Sequence, residues 1–194
     1  MTKFVLAIIS VVSLSFLYSC SPVGVLAGGG TTTMVVAEGD RSLGTVVDDA
    51  TIKLNLSTKF LQSGNELFVN VNSNVLEGRV LLTGIVETQE VRIEAVKTAW
   101  EVDGVKEVVN EIEVGDKTSL KEYANDLWIN TQVKTLAAKS IGLRSFSYNF
   151  ETIRGKVYIA GITSRPEQLE AIIESTKTVK GVKEIVNYVI VKEN

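Results

Sequence analysis

The chain has 194 residues, 45% of them hydrophobic, and a net charge of −3, with no histidine and one cysteine. That length suits one medium domain or two small ones. Without histidine the commonest general base and metal ligand are gone, a lone cysteine builds neither an internal disulfide nor a thiolate cluster, and net acidity is a poor match for nucleic acid.

Lys3 followed by an apolar run from Phe4 to Phe16, broken by Ser10, Ser13 and Ser15, reads as a secretory signal peptide over residues 1–19. The run is shorter than the roughly 20 apolar residues that a transmembrane helix needs. In Leu17, Ser19 and Cys20 the segment Leu17-Tyr18-Ser19-Cys20 resembles the lipobox of bacterial lipoproteins, with Tyr18 standing where a small residue is usual. The resemblance implies a covalent lipid on Cys20. By resemblance to enterobacterial lipoproteins, in which an aspartate after the cysteine favours the inner membrane, Ser21 at that place implies the outer membrane. A free or buried thiol in an ordinary secreted protein is the alternative. Pro22 to Gly39, with Gly28-Gly29-Gly30 and Thr31-Thr32-Thr33, has no periodicity and little charge. With Cys20 it reads as a flexible tether over residues 20–39, with an r.m.s. reach of roughly 25 Å.

The remainder repeats itself at an offset of 77 residues. Gly78 matches Gly155, Val80 matches Val157, Gly84 matches Gly161, and Glu90 matches Glu167. Gly104-Val105-Lys106-Glu107 matches Gly181-Val182-Lys183-Glu184, Val109-Asn110 matches Val186-Asn187, and Val114 matches Val191. Two copies of one domain are expected, over residues 40–115 and 116–194.

The first copy predicts a helix near Thr45 to Leu61, strands near Leu67 to Ser73 and Gly78 to Val86, a helix near Glu90 to Trp100, and a strand from Val105 to Val114. Trp100 has Lys177 as its counterpart and is expected to pack. In the second copy Ser119 can cap a helix from about Leu120 to Lys139, with Ile129, Val133 and Leu136 at helical spacing. Alternation of Phe146, Tyr148 and Phe150 with Ser145, Ser147 and Asn149 predicts a strand from Arg144 to Glu151. A turn at Ile153-Arg154-Gly155 leads into a strand from Lys156 to Thr163. Ser164 and Glu167 have capping-box spacing, with Pro166 in the first turn, opening a helix to about Val179. Gly181 stops it, and Val182 to Val191 is the last strand. Each copy therefore predicts a three-stranded mixed sheet covered on one face by two helices, an α+β fold in two layers.

This αββαβ order, with a strand-borne glycine before the second helix and Gly-Val after it, resembles the BON domain of bacterial envelopes. Duplicated behind a lipobox, it is similar to dual BON-domain outer-membrane lipoproteins, and Asn125-Asp126-Leu127-Trp128-Ile129-Asn130-Thr131-Gln132-Val133 resembles the opening helix of their second domain. The resemblance implies a non-enzymatic protein facing the periplasm, which binds phospholipid and supports envelope integrity.

Charge supports that reading from the residues themselves. Residues 40–115 hold 7 Lys and Arg against 13 Asp and Glu, a net of −6, whereas residues 116–194 hold 12 against 9, a net of +3. A basic second domain would turn toward an anionic membrane; drift after duplication is the plainer account. Within the opening helices, Ile129 and Val133 match Ile52 and Leu56, but Leu127 and Trp128 match Ala50 and Thr51. Trp128 lies about 100° of helical rotation from Ile129. Tryptophan suits the membrane interface, its ring apolar and its indole N–H at headgroup level. Tyr123, Leu127 and Trp128, with Lys121, Lys134, Lys139 and Lys117, therefore form the candidate phospholipid-binding set. A seam against the first domain, or a surface for outer-membrane assembly, cell-wall or cell-division proteins, would use the same bulk.

Carboxylates are numerous, but Glu107, Glu111 and Glu113, and Glu87, Glu90 and Glu94, read as solvated faces and helix-dipole complements. Gly28-Gly29-Gly30 lacks a preceding strand and a phosphate-loop lysine. No enzyme activity, metal or cofactor beyond the covalent lipid is expected.

Overall fold

The computed structural model describes residues 42–116 and 118–192. The expected signal peptide, Cys20, the tether and Lys117 lie outside them. The first repeat runs α1 (Leu43–Ser63), α2 (Asn65–Asn70), β1 (Val71–Leu76), β2 (Arg79–Val86), α3 (Gln89–Trp100) and β3 (Glu107–Val114). The second runs α4 (Leu120–Ile141), a 3₁₀ turn (Gly142–Ser147), β4 (Tyr148–Ile153), β5 (Lys156–Thr163), α5 (Pro166–Lys177) and β6 (Glu184–Val191). Each repeat folds its strands into one mixed sheet, in the orders β1-β2-β3 and β4-β5-β6, with an antiparallel hairpin followed by a parallel crossover.

The long helices form where the sequence supplies both a cap and a stripe. Ser119 accepts from the Glu122 N–H at 3.2 Å while the Glu122 carboxylate accepts from the Ser119 N–H at 2.9 Å, closing a capping box. Ile129, Val133 and Ala137 then recur every four residues and are all buried. In α1, Ser42 accepts from the Thr45 N–H, and Ile52, Leu56 and Phe60 make the equivalent stripe. Burying each such large side chain contributes about 1.5–3 kcal/mol.

Four expected strand starts move. A short helical turn, α2 or the 3₁₀ turn, follows the opening helix of each repeat, so β1 starts at Val71 and β4 at Tyr148. The aromatic alternation overran β4: Tyr148 and Phe150 are buried, stacked with ring centroids 6.5 Å apart, but Phe146 is 80% exposed on the turn. The third strands begin at Glu107 and Glu184, because the N–H groups of Val105 and Val182 close turns onto Val102 and Val179. The Ser164–Glu167 box is not the cap of α5. Its N-cap is Arg165, matching Thr88 in the first repeat, and no side chain caps it, while Pro166 needs no partner for a missing N–H. Trp100, expected to pack, is 53% exposed.

Each hairpin turn is held by a buried aspartate. Asp126 accepts from the N–H groups of Arg154 at 2.7 Å and Gly155 at 2.9 Å, one on each carboxylate oxygen. Asp49 does the same for Glu77 at 2.8 Å and Gly78 at 2.9 Å. These bonds hold Glu77 and Arg154 in the left-handed region, with φ of 55° and 51°. Gly84 is required where the chain enters β1: a Cβ there would lie 2.0 Å from the Asn70 carbonyl oxygen. At the matching Gly161 the distance to the Ser147 oxygen would be 2.7 Å.

The central strands are buried on both faces. Val80, Leu82 and Val86 face the helices of the first repeat, and Val157 and Ile159 those of the second. The intervening Leu81, Ala160 and Ile162 join Leu76, with Val109, Tyr188 and Ile190 packed against them, in a third apolar cluster. That cluster is the seam: the sheets meet by the faces their own helices leave uncovered. Around it Lys192 pairs with Glu77 at 2.5 Å, and Lys156 and Arg154 approach Glu113 at 3.4 and 3.6 Å.

Candidate functional site

The capped start of α4 fixes the outward side of the helix, because burial of Ile129, Val133 and Ala137 turns the opposite side to solvent. Tyr123 is 63% exposed, Leu127 57% and Trp128 47%, while Lys121, Lys134 and Lys139 are all exposed. Two stripes result from the helical period. Lys121, Trp128 and Lys139 are separated by seven and eleven residues and fall within about 20° of one another. Tyr123, Leu127 and Lys134 form a second stripe beside them. The seam between repeats is built by the sheets rather than by Leu127 and Trp128.

Tyr123 and Leu127 border a cleft of about 570 Å³ whose other wall belongs to the first repeat, through Val69, Asn72 and Ile85. Glu151 lies in its floor, accepting from Asn72 Nδ2 at 2.7 Å. Burial pushes the Glu151 carboxyl above the usual carboxylate range, against the opposing pull of Lys134, Lys53 and the Asn72 bond. Its lining mixes apolar and polar side chains and includes Leu120, 89% exposed. A second cleft, of about 400 Å³, lies between α4 and β4, lined by Lys134, Ala138, Phe146, Tyr148 and Phe150 among others. Trp128, Lys121 and Lys139 border neither cleft.

The seam decides which cations remain available. Arg154, Lys156 and Lys192 of the basic repeat are engaged with Glu77 and Glu113 of the acidic one. Lys121, Lys134 and Lys139 of α4 stay exposed, and from Leu127 to Phe150 the sequence contains no acidic residue. The arrangement offers apolar bulk and positive charge on one surface.

Sequence reasoning did not single out Leu120 or Phe146 as exposed apolar groups, or Glu151 as a half-buried carboxyl. Leu120 was legible as a bulky residue at the helix start. Phe146 was masked by its place in an alternating pattern, and Glu151 depends on contact with the other repeat.

Known proteins share both repeats. The family model for the BON domain matches residues 48–116 and 125–193. An uncharacterized protein in the gshII 5′ region of Anaplasma centrale is 40% identical over 149 residues, spanning 76% of this chain and 97% of that one. The outer membrane lipoprotein DolP of Haemophilus influenzae is 30% identical over 172 residues, 88% of each chain. A 21 kDa hemolysin of Actinobacillus pleuropneumoniae is 33% identical over 156 residues, 77% of this chain and 78% of that one. Two matched domains, two αββαβ sheets and this similarity place the chain in the BON-domain family, with two copies of the domain.

Proposed function

We propose that the protein is held at the periplasmic face of the outer membrane by a lipid on Cys20, and that its second BON domain binds anionic phospholipid through α4, supporting envelope integrity. The observation that carries this reading is Trp128: a large aromatic 47% exposed on the outward side of a helix whose core stripe is complete without it. Tyr123 and Leu127 add apolar area beside it, and Lys121, Lys134 and Lys139 supply charge for lipid phosphates, at about 1 kcal/mol for each basic residue near the surface. The similarity to an outer membrane lipoprotein supports the location. The lipid anchor and α4 would act together, since a tethered weak contact becomes effective through local concentration.

A second reading is favoured by the cleft between repeats, whose mixed apolar and polar lining suits a protein segment. In that case the protein is an adaptor for envelope-assembly, cell-wall or cell-division proteins. Cosedimentation of Glu38–Asn194, the compact unit that holds both repeats, with neutral and anionic vesicles separates the two. Binding to anionic vesicles that Trp128→Ala abolishes in a folded protein supports the phospholipid reading; a folded parent that ignores vesicles overturns it and favours the adaptor.

A further inference from the structure

The apolar surface of α4 continues past the end of the helix. In the 3₁₀ turn Leu143 is 79% exposed and Phe146 80%, among the most exposed large apolar side chains of the described residues. The matching positions in the first repeat are Glu66 and Val69, so a charge has been exchanged for leucine and a smaller group for phenylalanine. Phe146 shares a cleft with Lys134 and Ala138. Those two residues follow Leu127 by seven and eleven positions, within about 20° of its side of the helix. Phe146 therefore extends the stripe of Tyr123 and Leu127.

Charge selects the occupant. Lys134, Lys139 and Arg144 are exposed along this stretch, and no acidic residue stands between Asp126 and Glu151. Apolar side chains projecting from a turn, with cations behind them, match a bilayer with phosphates at its surface and acyl chains below. We propose that the Leu143–Phe146 turn is a second membrane contact, inserting beneath the phosphates of an anionic bilayer, so that the domain is held at both ends of α4. This rests on the reading of α4 as a phospholipid site and adds a point of attachment that the helix alone does not supply. With 22 residues, α4 is about 33 Å long. Contacts near both ends fix its tilt on the bilayer.

The unit Glu38–Asn194 contains both cores and the seam and no cysteine, so Phe146→Cys creates a unique site for an environment-sensitive fluorophore. The labelled unit is added to phosphatidylglycerol–phosphatidylethanolamine vesicles carrying a quencher on the acyl chains, with Glu94→Cys as the labelled control. The expected result is a shift to apolar emission and acyl-chain quenching at position 146 alone. The double variant Leu143→Ser with Phe146→Ser should keep its circular dichroism and lose roughly tenfold or more in vesicle affinity. If the unit sediments with the vesicles while the label stays aqueous and the double variant binds like the parent, the turn is not a contact and the helix site stands. If a folded parent does not sediment with vesicles at all, the phospholipid reading fails and the turn proposal with it.

Discussion

Glu111 and Tyr188 occupy the same position in the two repeats, 77 residues apart, and bond to each other across the seam, the phenol donating to the carboxylate. A duplication has thus become its own interface. The equivalent hairpin residues Glu77 and Arg154 behave alike, each pairing with the far end of the other repeat, at Lys192 and Glu113.

Burial, the Glu111 bond and its charge push the Tyr188 phenol up to about 12, and burial followed by Glu111 and Glu113 pushes Tyr158 in the same direction. The folded protein holds both protons more tightly than the unfolded chain does. Stability should therefore be fully present below about pH 10, where free tyrosine ionises, and fall as pH rises through about 12. Urea unfolding across that range checks the slope. Tyr188→Phe should cost about 1–3 kcal/mol by leaving Glu111 without its donor, and should flatten the alkaline loss.

Asp126→Ala removes two acceptors, one from the buried Gly155 N–H and one from the part-buried Arg154 N–H, and releases a left-handed Arg154. A loss of about 3 kcal/mol or more is expected, with Asp126→Asn less severe because one acceptor remains. Thermal unfolding should rank parent, Asn and Ala in that order.

Gly84→Ala should be among the worst single changes in the chain, costing several kcal/mol, because its Cβ would meet backbone that cannot rotate away. Gly142→Ala meets nothing within 4 Å, but φ of 65° with ψ of −140° disfavours any Cβ, so its cost should be about 1–3 kcal/mol, from backbone strain alone. Soluble yield and urea midpoints distinguish the two.

Replacing Lys121, Lys134 and Lys139 together by Gln should weaken binding to anionic vesicles by about 3 kcal/mol, roughly two orders of magnitude, and flatten its dependence on salt. Trp128→Ala should lower affinity while leaving the salt slope intact. Vesicle titrations at several ionic strengths read both.

The order of elements was legible because glycines, caps and apolar periods recur in both repeats. The seam was not, although Val80-Leu81-Leu82 and Val157-Tyr158-Ile159-Ala160 are unbroken apolar runs. Such runs signal a strand buried on both faces, and reading one face of them left the second without an explanation. Asp49 and Asp126 recur at the same offset, but a carboxylate on a helix reads as solvated until its turn folds over it. In the candidate site, Trp128 and its lysines could be placed on the outward side from helical spacing alone. The cleft needs Val69 and Asn72 from the other repeat, and no local pattern records that contact.

Because the seam ties an acidic domain to a basic one, the molecule is an electric dipole with a fixed axis. Close to a negatively charged sheet of headgroups, such a body experiences a torque as well as an attraction, and within a Debye length of about 8 Å it rights itself with the acidic end outermost. If α4 binds phospholipid as proposed, the first domain would then be the part displayed to the compartment, its orientation set by repulsion rather than by any contact of its own.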